Sequence, residues 1–140
     1  MAALAEQIEN TLGGTADPQI VEGLNVYPML EANPTPPAID VYPGNPFQEQ
    51  QASGKGNKRL NFNVRGRVNT PDNEGAQELL LSMMDPQGTA SVEQALLEDR
   101  TLSGTVGYLS VDGPTDYGVF VEPNGAGAFL SCTWTVQVIP

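Results

Sequence analysis

The sequence predicts an α+β fold: a mainly antiparallel sheet covered by helices on one face, with an N-terminal helix and a long mobile loop. Three observations predict it. Residues 59–68 alternate apolar and polar with a strict period of two, the pattern of a strand with one buried face. Residues 70–97 carry apolar positions at helical spacing, and residues 102–139 return to strand-like runs separated by Gly- and Pro-rich turns. Helices bunched between runs of strands indicate α+β packing rather than a parallel βαβ alternation. The 140 residues fit one domain, 1–140. Leu, Ile, Val and Phe supply 33 of the 140, above the roughly 20% below which disorder is the default.

Taken in order, Leu4, Ile8 and Leu12 form one stripe of a helix over 3–12, and Gly13-Gly14 supplies its stop. The tripeptide Val-Tyr-Pro occurs at 26–28 and 41–43. Proline donates nothing to a ladder, so strands are expected near 25–27 and 38–42, each ending or lying at an edge. Residues 44–58 hold Gly44, Asn45, Pro46, Gly54, Gly56 and Asn57, and read as the long mobile loop. In the strand that follows, Leu60, Phe62, Val64, Gly66 and Val68 share one face. Arg59, Asn61, Asn63, Arg65 and Arg67 share the other, which is expected to be wet and able to meet carboxylates of flanking strands or of a neighbour.

Thr70-Pro71-Asp72 has the chemistry of a helix start, and Ala76, Leu79, Leu80, Met83 and Met84 make that helix's apolar face. Ser91 and Gln94 stand at capping-box spacing and open a second short helix. A strand is expected over 102–111, a turn at 112–116, a returning strand over 117–122, a turn at 123–127 and a last strand over 128–139. Cys132 falls in the apolar row of that last strand and reads as a small buried hydrophobe.

The same residues exclude much chemistry. There is no histidine, so Ser-His-Asp, Cys-His and His-metal sites cannot be built. One cysteine makes neither an internal disulfide nor a cysteine zinc site. The first residues lack the pattern of a secretory signal, and no apolar run spans a bilayer. Intracellular assembly without export and without a membrane partner is the expectation. The carboxylate pairs Asp112/Asp116 and Glu98/Asp99 are the remaining catalytic candidates, and turn chemistry accounts for them. No enzyme activity and no cofactor is expected.

Charge carries more information. The formal net charge is −11, from 17 acidic and 6 basic residues, which opposes sequence-reading contact with DNA. Five of the six cations, Lys55, Lys58, Arg59, Arg65 and Arg67, lie within 13 residues. A basic cluster on an acidic chain has a ready partner in a second copy, and head-to-tail contact of unlike patches closes a ring when the rotation allows. Those five residues are the candidate subunit or tube interface. The plainer account is that they are edge charges that discourage sheet aggregation.

Across nearly the whole length, the order of segments resembles the tail terminator (tail completion) proteins of long-tailed bacteriophages. The likeness rests on the N-terminal amphipathic helix, Val26-Tyr27-Pro28, the run Pro37 to Pro43, and the polar loop leading into 59–69. It continues through Leu79 to Pro86, Ser91 to Leu96, Thr101 to Gly104, and the closing strand Gly127 to Val138. The resemblance implies a homohexameric ring on the last tail-tube ring, within the virion tail or neck, assembled in the host cytoplasm. It further implies contacts to tail tube protein and head–tail connector proteins, with viral DNA passing through the bore unread. Readings in competition are another neck, head-completion or minor tail protein, an acidic monomeric binding module, and a carboxylate-dependent hydrolase.

Overall fold

The computed structural model describes residues 2–13, 20–31, 34–50, 58–69, 74–104, 106–121 and 128–139. Its elements in chain order are α1 (Ala2–Leu12), β1 (Asn25–Tyr27), β2 (Ala38–Gln50), β3 (Lys58–Val68), α2 (Glu74–Met84), α3 (Val92–Leu97), β4 (Tyr108–Val121) and β5 (Ala128–Ile139). The strands form one sheet in the order β1-β2-β3-β5-β4. β1 runs parallel to β2, and every other neighbouring pair is antiparallel. The fold is the expected α+β class.

The two-residue period of β3 decides which face is inside. Phe62, Val64 and Val68 are buried, and the register sets them beside Val136, Trp134 and Leu130 of β5. Ile39 and Val41 of β2 continue this face. Trp134 is fully buried, and a Cβ added at Gly66 would stand 3.2 Å from its Cζ3, so the absence of a side chain there makes room for the indole. Cys132 lies in the same layer, and burial pushes its thiol up to about 12, far from a nucleophile's range.

The helices close this face. α1 buries Leu4, Ala5, Ile8 and Leu12, and Gly13 N–H closes its end on the Glu9 carbonyl at 2.9 Å. α2 buries Ala76, Leu80 and Met83. The start expected at Thr70-Pro71-Asp72 lies outside the described residues. Ser91 caps α3, its Oγ accepting from Gln94 N–H at 3.1 Å. Gln7 of α1 then ties the two helices together, its Nε2 donating to the carbonyls of Ala95, Leu96 and Asp99 at 3.0, 2.7 and 3.3 Å. Those acceptors belong to the last turn of α3 and the residues just after it, where helix carbonyls lack partners of their own.

Three expected boundaries are corrected. Residues 44–50 belong to β2 rather than to a loop, and 51–57 lie outside the described residues. From Pro43 to Gln48 β2 advances five residues while β3 advances only from Phe62 to Leu60, so Gly44–Phe47 form a bulge. The bulge is pinned on both sides. Phe47 meets Phe62 edge-on at 5.3 Å, and Asn61 Nδ2 donates to the Pro46 carbonyl at 3.0 Å.

The second correction concerns 102–111, where the strand begins only at Tyr108. Asp99 gathers Thr101 N–H at 3.0 Å and Ser103 N–H at 2.7 Å, and the chain turns through positive φ at Leu102, Ser103 and Gly104. Leu102 is only 5% exposed and anchors this turn in the core. Third, Asp112–Asp116 does not reverse the chain. β4 runs straight through it, advancing three residues from Asp112 to Thr115 and three more to Gly118 while β5 advances two each time. Gly113 and Asp116, at φ 100° and 58°, absorb the extra residues, because turn residues also build bulges. Among the described residues the C-terminal third therefore holds two strands, not the three expected. The turn expected at 123–127 lies outside the described residues.

Candidate functional site

The structure divides four of the five candidate cations between two places on the β2–β3 pair. Lys55 lies outside the described residues. Lys58 and Arg59 stand at the far end of the pair, where β3 pairs Gln50 and Glu49. Lys58 is exposed and its Nζ donates to Gln48 Oε1 at 3.3 Å. The Arg59 guanidinium pairs with Glu49, with both side chains about one-third exposed. That contact holds the Glu49 carboxyl below the usual carboxylate range.

Arg65 and Arg67 sit at the other end, and there the expectation of a wet face fails. Asp40 is fully buried and accepts from Arg65 through both oxygens, Nε to Oδ1 at 3.1 Å and Nη2 to Oδ2 at 2.7 Å. Arg67 Nη2 reaches the same Oδ2 at 3.3 Å and the Glu31 carbonyl at 2.6 Å, and Arg67 is only 1% exposed. Glu31 N–H completes the shell by donating to Asp40 Oδ2 at 3.2 Å. Glu31, between β1 and β2, therefore lies over this end of the sheet's outer face, where Arg67 is buried and Arg65 keeps about one-fifth of its side chain exposed. Both guanidiniums also lie over aromatic rings, Arg65 at 5.3 Å from the Tyr42 centroid and Arg67 at 5.9 Å from that of Phe129. Burial is the main cause raising the Tyr42 hydroxyl above its ordinary value.

Pairing with a flanking strand, one of the two partners the alternation allowed, is thus what β3 does. Asp40 and Glu49 are the residues that sequence reasoning missed. Their signal was the hairpin register itself, which sets Asp40 opposite Arg65 and Glu49 opposite Arg59.

The carboxylate candidates do not converge. Asp112 and Asp116 lie exposed on the bulged part of β4. Asp99 is committed to Thr101 and Ser103, and those hydrogen bonds lower its pKa. Glu98 Oε2 accepts from Thr11 Oγ1 at 3.2 Å. Glu6, Gln7, Asn10, Glu98 and Asp99 line a polar groove of about 370 Å³ beside α1. Among the described residues no cluster of three or more Cys, Asp or Glu is placed to hold a metal ion. No described helix is long and apolar enough to cross a membrane.

The sheet has one further feature. β4 is an edge strand, and Tyr117 in its second bulge and Val119, Phe120 and Val121 beyond it stand exposed. The composition signal is an apolar run broken only by Gly118. No protein-family model matches the chain, and comparison with curated proteins gives no match.

Proposed function

We propose that the chain is a structural virion protein: a tail-terminator-like subunit whose six copies form a ring that caps the phage tail tube. In this reading the ring stops tube polymerisation and offers a surface to the head connector, while DNA passes through the bore. The segment order described above suggests the family. One observation in the fold supports the reading: the arginines of β3 are matched by carboxylates of β2, so the sheet's outer face does not offer a row of unopposed cations to phosphate. Neutral Asn63, Thr133, Thr135 and Gln137, with Asp112, make up much of the remainder of that face by register. Such a surface, on a chain of net charge −11, lets DNA slide rather than bind.

The test has two stages. Native mass spectrometry of the purified chain is expected to give a species six times the 14.9 kDa protomer. Added to polymerising tail tube protein, it is expected to cap tubes and halt their growth. A ring that binds connector but leaves tube growth untouched would move the protein to another neck or head-completion role. A monomer that stays monomeric with tube protein present would overturn the assembly reading.

A further inference from the structure

The two edges of the sheet are guarded unequally. β1 covers β2 only over Ala38–Asp40. The uncovered part of β2 carries Pro43 and Pro46, which offer no N–H to a ladder, and from Phe47 onward it is free of proline. On the opposite edge, β4 is broken by its two bulges as far as Gly118. The stretch Tyr117–Val121 holds neither proline nor charge, and its side chains are exposed: Tyr117 46%, Val119 51%, Phe120 49% and Val121 75%. Successive strand residues leave opposite faces, so apolar surface is bare on both sides of an open edge. An edge in that state is a template for another strand.

We propose that Tyr117–Val121 is the strand-addition edge for a second copy of this chain, received by that copy's β2–β3 end, where Lys58 and Arg59 lie. Charge selects this occupant. Pairing β4 with another β4 would bring together two copies of one acidic strand, each exposing Asp112 and Asp116, on chains of net charge −11. Pairing with the β2–β3 end instead brings Asp116 toward the basic end of the acidic chain, and Phe47–Glu49 supply proline-free backbone beside it.

The two surfaces lie on opposite edges and at opposite ends of the sheet, since Val121 pairs Ala128 while Leu60 pairs Val138. A copy engaged through one keeps the other open. That is a heterologous contact, which closes into a ring or runs on as a filament. The inference rests on the ring reading and assigns it two surfaces.

The experiment is native mass spectrometry of the full chain at low salt, with a urea melt of each variant as the folding control. Val119→Asp with Phe120→Asp is expected to leave only the 14.9 kDa protomer with an unmoved urea midpoint. Lys58→Glu and Asp116→Lys are each expected to weaken association about tenfold, and the double variant to regain most of it, as an interfacial charge pair does. A hexamer that survives the Val119/Phe120 change would overturn the edge and spare the ring. A dimer or filament abolished by that change would keep the edge and overturn the hexameric ring. A wild-type chain monomeric at every concentration, with tube protein present as well, would overturn both.

Discussion

The two ends of the β2–β3 pair carry the same charge pattern and have opposite characters. At one end, Asp40 is enclosed by Arg65, Arg67 and the backbone of Glu31, with aromatic rings against both guanidiniums. At the other, Glu49 and Arg59 pair beside the exposed Lys58. Depth makes the difference. A buried carboxylate with several donors is fixed, and taking one donor away strands a charge in a place water cannot reach. A half-exposed pair exchanges freely with solvent and ions. The first end holds the fold together, and the second stays open to solvent.

The largest expected effect breaks the buried end. Arg65→Glu with Arg67→Glu confronts Asp40 with two new carboxylates and is expected to unfold the monomer rather than merely block assembly. Arg67→Ala alone is expected to lower stability by about 3–5 kcal/mol in a urea melt. A loss below about 1 kcal/mol would show that this end is no more structural than the other. Next is Arg65→Ala, expected to lower stability by about 1–3 kcal/mol, because Asp40 keeps Arg67 and the Glu31 N–H.

Salt sharpens the contrast. In double-mutant cycles the Arg59–Glu49 coupling is expected to fade as ionic strength rises, while the Arg65–Asp40 coupling persists. Equal salt sensitivity at both ends would overturn the distinction.

The smallest effect is with pH. Glu49 is depressed by Arg59 in the folded state, so its contribution is complete above the ordinary value of 4.5 and is lost as pH falls through the lower folded value. Glu49→Gln is expected to remove that part of the acid dependence of the urea midpoint, lowering the midpoint slightly near pH 7 and leaving it unchanged once pH is below the folded value.

Much of the fold was legible because periodicity reports burial directly. The alternation in 59–68 and 128–139 and the stripes of α1 and α2 each predicted the buried face. Turn chemistry was less legible. Gly, Pro and Asp at 112–116 mark a change of backbone direction, yet the same residues serve a reversal or a bulge, and only the pairing of β4 with β5 on both sides distinguishes them. The candidate site was legible as a row of charges and illegible as a set of partners. Whether Arg67 is wet depends on the chain around Glu31 lying over it, a contact 36 residues away in sequence with no local signature.

The pairing of β3 with β5 has a consequence for the order of biosynthesis. The central ladder joins Leu60 to Val138, so the middle strand waits for the chain to be made as far as Val138 before its second neighbour arrives. Until then Phe62 and Val64 lack Val136 and Trp134, and the strand that offers Tyr117–Val121 has nothing to lie against. Long-range closure of this kind is slow relative to local helix formation. A chain that lacks β5 is thus denied the support on which the proposed docking edge rests, and under that proposal β5 must be in place before subunits associate.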